Sequence, residues 1–221
     1  MTTHLSRQDL KPVLQHRDIG QFDYKRLVSL FREEEALHDY APDGICQIDP
    51  RNGERILYSS ARARRPHDNR SEQDKGTPQE DCVICRGETT GVVDVAALSQ
   101  GFTFINKNLY PILYPQERAG QEGQPTNGDR PAHGLHFLQW TSSYHDRDWH
   151  NLPLADRVVV LQRLARLEQV LLRTGPRAES GVTFNGRQAE LGPVVSLIKN
   201  GGPLVGGSLS HGHQQIAYSN V

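Results

Sequence analysis

The sequence predicts an α+β fold, an antiparallel β-sheet with one long helix packed on it and long polar loops. Three observations predict it. One apolar stripe of helical spacing, Val160, Leu161, Leu164, Leu167 and Leu171, marks a helix over 154–173. Short strand-like runs surround it, at 55–58, 102–105, 135–140, 194–199 and 214–218. Most connections between them are short, which favours an antiparallel sheet.

Each element has a local reason. Residues 1–45 are polar and read as an N-terminal helical extension, with a helix expected over 24–38 from Leu27, Leu30, Phe31 and Leu37. Residues 46–221 are expected to form the main domain. Asp49-Pro-Arg-Asn-Gly53 reads as a turn before the strand at 55–58. Arg62, Arg64 and Arg65 form a basic cluster before Pro66, and 67–80 is polar, turn-rich and expected to be mobile. Phe102–Ile105 reads as a buried strand leading into Asn106-Lys107-Asn108, and 116–131 as a surface loop. Asn151 and Pro153 suit the start of the long helix, and Gly175-Pro176 its end. The strand at 194–199 runs into a glycine-rich segment, and 214–218 is the last strand. There is no internal repeat.

Composition limits the function classes. A chain of 221 residues with 36% apolar content and a mean hydropathy of −0.62 fits one large domain or two small ones with sizeable polar loops. A net charge of −1 gives no general attraction to nucleic acid or anionic membrane. No apolar run approaches a membrane span, and the first residues lack a signal-peptide core. A cytoplasmic enzyme is the expectation.

The three cysteines, Cys46, Cys82 and Cys85, are too few for a disulfide framework. Cys82-Val-Ile-Cys85 has the spacing by which two thiolates grip one zinc ion. It is half a metal site by itself, and redox chemistry is the rival reading. Cys46 has no partner in sequence and reads as a structural thiol.

The densest chemistry lies near the C-terminus, in Asn200-Gly-Gly-Pro-Leu-Val-Gly206-Gly207-Ser208-Leu-Ser-His211-Gly212-His213-Gln214-Gln215. On a strand, His211, His213 and Gln215 share one face, because side chains alternate. The glycines allow close backbone approach, and amides with a serine hydroxyl can cradle phosphate oxygens. An imidazole beside such a cradle suits nucleophilic transfer of a phosphoryl or nucleotidyl group. A metal pair or a plain surface is the competing reading of His-x-His.

Four segments, in order, resemble the galactose-1-phosphate uridylyltransferases, within the wider histidine-triad fold. They are 53–66 with its arginines, Asp81–Cys85, Phe104-Ile-Asn106-Lys107, and the run from Lys199 to Gln215. The resemblance covers most of the chain from about residue 50 and corresponds to the N-terminal half of such an enzyme. It implies a zinc ion held by Cys82, Cys85, His145 and His211, with His150 a competitor of His145. It implies that His213 is the nucleophile, that Gln215 bonds a phosphoryl oxygen, and that Ser208, Gly206 and Gly207 hold phosphates. Arg62 and Arg65 would add charge-assisted bonds, Asn106 would contact the nucleotide, and Asn200 would support the loop. The partners implied are a nucleotide sugar and a sugar phosphate, and the assembly a homodimer.

Two departures stand out. Gly212 occupies the place where uridylyltransferases usually carry proline, and the sequence ends at Val221, before the second half that completes the sugar site. The expectation is a truncated chain or a one-half relative. ADP-sugar and dinucleoside tetraphosphate phosphorylases share the chemistry, and a non-catalytic nucleotide-binding half is the non-enzymatic reading. Gln215 argues against a histidine-triad hydrolase, because an amide is a poor proton donor to a leaving group.

Overall fold

The computed structural model describes residues 4–49, 51–52, 54–60, 79–115, 130–176, 179–184, 187–191, 193–201 and 209–219. Ten strands are described: β1 Ile45–Ile48, β2 Arg55–Tyr58, β3 Val92–Ala97, β4 Phe102–Lys107, β5 Arg130–Pro131, β6 Gly134–Trp140, β7 Glu179–Phe184, β8 Arg187–Leu191, β9 Val194–Ile198 and β10 His213–Ser219. Two α-helices accompany them, α1 Tyr24–Arg32 and α2 Leu154–Thr174. The main sheet is antiparallel throughout, in the order β3-β4-β6-β10-β9. Beside it lie a three-stranded sheet, β2-β1-β5, and a β7-β8 hairpin. The α+β expectation, an antiparallel sheet with one long helix, is what the structure has.

The alternation of side chains decides which face does what. Leu135 and Phe137 on β6, and Ile216 and Tyr218 on β10, share one core with Leu164, Leu167, Val170 and Leu171 of α2. Leu27, Leu30 and Phe31 of α1 belong to that same core, so the N-terminal segment is packed against the sheet. Arg163 of α2 ties the layers together: it bonds the buried Asp94 of β3 and reaches Asp18 at 2.7 Å. The opposite face of the sheet carries Phe102, Phe104 and Trp140, covered by Leu5, Leu10, Cys82 and Ile84. It is this second face that builds the site.

Several elements differ from the sequence-based expectation. The helix expected over 24–38 ends at Arg32, and Glu35–Tyr40 is a separate 3-10 turn. Glu33, Glu34 and Glu35 would place three negative charges at a helix C-terminus, where the dipole disfavours them. Glu34 instead turns extended and meets the buried Lys107, Oε2 to Nζ 2.7 Å. Lys107 also donates to Gln15 Oε1 and the Leu30 carbonyl, so all three ammonium protons have acceptors. Within the stretch expected as a surface loop, Arg130–Pro131 is a strand paired with Ile45 and Cys46, and 116–129 lies outside the described residues. The stretch expected to be mobile lies largely outside them too, and its end, Gln79–Asp81, is a 3-10 turn. Asn151 does not cap α2; its side chain bonds the Asp146 carbonyl and the Asp148 amide. Cys46 is buried. Among the described residues no helix is long and apolar enough to cross a membrane.

Candidate active site and metal cluster

The last strand begins at His213, one residue earlier than its apolar pattern indicated. His213 pairs with Trp140 and Gln215 with Leu138, while Asn106 of β4 pairs with Leu138 from the other side. All five side chains therefore stand on the face away from α2. They line a cavity of about 630 Å3, together with Ile84, Thr90, Tyr110 and Glu34. Pockets of this size are typical of small-molecule sites.

His211 precedes the strand and departs from the common face expected for three residues. Its ring turns to Cys82, Cys85 and His145, and the four ligand atoms all lie within 4.8 Å of one another. Cys82 Sγ and Cys85 Sγ stand 3.7 and 3.6 Å from His211 Nδ1, and Cys85 Sγ stands 3.5 Å from His145 Nδ1. His150 is exposed and is not one of the four. The Nε2–H of His211 donates to the Ser142 carbonyl at 2.8 Å, which leaves the Nδ1 lone pair aimed at the sulfurs. Burial keeps His211 neutral, lowering its pKa from 6.5 to about 4. Burial, and then the neighbouring Cys82, push the Cys85 thiol up to about 12. A cation among these donors would reverse that for Cys85 by stabilising its thiolate form. The cluster can hold one metal ion.

His213 is oriented by main chain. Its Nδ1 lies 2.9 Å from the carbonyl of His211, so Nδ1 carries the proton and Nε2 the lone pair. Trp140 packs against the imidazole with ring centroids 5.0 Å apart. Asn106 braces that tryptophan: its Oδ1 accepts the Trp140 indole N–H at 2.8 Å, while its amide donates among Thr89, Thr90 and the Lys107 carbonyl. Asn200 is half-buried just past β9. Arg62, Arg65, Gly206, Gly207 and Ser208 lie outside the described residues.

Four residues around His213 escaped the sequence analysis: Trp140, Thr141, Asp148 and Lys199. Trp140 carried a weak signal, since period two on 135–140 places it on the side of Leu138. Thr141 and Asp148 come from connections, where no periodicity forecasts a contact, and Lys199, expected as the last residue of a strand over 194–199, lies one residue past β9.

Comparison with known proteins bears on the fold. A solved uridylyltransferase structure is 23% identical over 78% of this chain and 44% of its own, with a TM-score of 0.50. The fold is similar to that of a uridylyltransferase. A mutant uridylyltransferase structure gives 23% identity, 80% and 45% coverage and a TM-score of 0.49. An ADP-glucose phosphorylase from Arabidopsis thaliana, with ADP-glucose bound, gives 17% identity, 80% and 48% coverage and a TM-score of 0.47. The chain spans less than half the length of these structures. No protein-family model and no curated protein matches it.

Proposed function

We propose that this chain is a nucleotidyltransferase that forms a nucleotidyl-histidine at His213, taking the nucleotidyl group from a nucleoside diphosphate sugar, with uridylyl the preferred group. The observation that carries this is the Nδ1–H of His213 bound to the His211 carbonyl, which makes Nε2 the nucleophilic nitrogen of a ring lining the cavity. The Nε2 lone pair attacks the α-phosphorus as the bond to the departing sugar phosphate breaks. A phosphate oxygen of a second sugar phosphate then attacks the same phosphorus, and the P–N bond returns its pair to the imidazole. The Gln215 amide donates to a phosphoryl oxygen, and the His211 carbonyl stabilises the charge that develops on the imidazole. Gly206, Gly207 and Ser208 would hold the phosphates, with Arg62 and Arg65 adding charge-assisted bonds.

The donor set fits zinc. Tetrahedral ligation with Zn–S of about 2.3 Å and Zn–N of about 2.0 Å requires S···N edges of about 3.5 Å. Three of the four S···N edges here are 3.5, 3.6 and 3.7 Å, and the fourth is within 4.8 Å. Two sulfurs and two nitrogens form a closed set, so zinc there would supply bracing between the 82–85 turn, the segment after β6 and the start of β10.

Incubation with labelled UDP-glucose and, separately, ADP-glucose, followed by a denaturing gel, tests the reading. An acid-labile label on wild type that disappears in His213→Ala is expected, and the nucleotide that labels names the base. No label from either sinks the transferase reading for this chain.

A further inference from the structure

We propose that Asp148 and Lys199 are positioning residues for His213, a pair that clamps its main chain so that Nε2 is held for attack. The proposal rests on the reading of His213 as nucleophile. Three successive carbonyls around the histidine each have an assigned donor. The His211 carbonyl takes the His213 ring proton at 2.9 Å. The Gly212 carbonyl takes the Thr141 amide at 3.0 Å. The His213 carbonyl takes the ammonium of Lys199 at 2.9 Å. Strand β9 ends opposite Gln215, and Lys199, the next residue after it, supplies a side chain where the strand no longer reaches.

Asp148 ties these together. Its Oδ2 lies 2.5 Å from Lys199 Nζ, and its Oδ1 accepts the Trp149 amide at 2.8 Å. The Thr141 hydroxyl sits 3.0 Å from that Oδ1 and 2.9 Å from the Gly212 carbonyl, and gives its one proton to either. Gly212 is part of the same fit. A Cβ there would lie 2.6 Å from Thr141 Oγ1, 2.7 Å from Asp148 Cγ and 2.8 Å from Asp148 Cβ, all closer than real Cβ contacts come. The aspartate and the Thr141 hydroxyl together occupy the space that a side chain between the two histidines would need. Gly212 and Asp148 therefore act as one unit, and the lysine completes it.

The test uses the metal-loaded full chain and the rate of histidine labelling. Lys199→Met should lower kcat on the order of 100-fold with KM changed less than about threefold, because a small misplacement of the attacking atom dominates. Lys199→Arg should recover most of the rate. Gly212→Ala should lose a comparable factor, yet adding Gly212→Ala to Asp148→Gly should cost clearly less than that factor, because two of the three close contacts are gone and only the Thr141 hydroxyl remains. In 15N-histidine protein, the two ring-nitrogen shifts of His213 should report an Nδ1–H tautomer in wild type and a mixture in Lys199→Met. Wild-type kcat and wild-type tautomer in both Lys199→Met and Asp148→Gly would overturn the proposal. So would losses that simply multiply in the double variant. Absence of label on wild type condemns the nucleophile reading instead, and the tautomer shifts then still decide the clamp.

Discussion

Acid should destabilise the metal-stripped protein through His211. The buried imidazole stays neutral down to about 4, whereas in the unfolded chain it protonates around 6.5. Between those values the unfolded state binds a proton that the folded state refuses, so stability falls as pH falls through the window. One pH unit of such a difference is worth about 1.4 kcal/mol, giving about 2 kcal/mol lost by pH 5 and about 3 kcal/mol by pH 4. The ring is fully buried and its Nε2–H is spent on Ser142, so no solvent path softens the effect. Urea unfolding of wild type and His211→Asn at pH 7 and pH 5, both with chelator, isolates it, because the other titrating groups cancel in the difference. Wild type should lose about 2 kcal/mol more than the variant. Equal losses in the two proteins would refute the assignment of a buried neutral imidazole.

Other outcomes follow from geometry already described. Cys82→Ser should reduce the metal content from about one ion per chain to a small fraction, read by elemental analysis, because a soft ligand of a closed set is lost. Lys107→Met removes three donated bonds and leaves Glu34 without its cation, so it should cost about 3 kcal/mol in urea unfolding. Gly134→Ala puts a methyl group into the Tyr218 carbonyl oxygen across the β6–β10 pair, and should cost about 1–3 kcal/mol by the same measurement.

Some of this architecture was legible in the sequence. Helix α2 was, because Leu164, Leu167 and Leu171 form a stripe that only the helical period produces, and the sheet needs that stripe. Strand β10 was legible too, from Ile216 and Tyr218 alternating with polar neighbours. Strand β3 was not: Asp94 interrupts Val92, Val93 and Val95, and its burial depends on Arg163, sixty-nine residues away. The break after Arg32 was hidden for a similar reason, since Glu34 leaves the helix for a lysine on β4. In the site, the Cys82-x-x-Cys85 and His-x-His spacings were visible, and His145 entered only through resemblance. Asp148 and Lys199 meet across fifty-one residues with no spacing to announce them.

His211 joins the two halves of the candidate site through different atoms: its ring stands in the Cys82, Cys85 and His145 cluster, and its carbonyl accepts from the proposed nucleophile, His213. A carbonyl survives every substitution, so replacing the side chain strips one donor from the metal without deleting the acceptor that sets the His213 tautomer. Under the proposed function, loss of metal and loss of chemistry would therefore be separable events. A descendant without a ligand at 211 would still present the carbonyl that holds the His213 ring by its Nδ1–H.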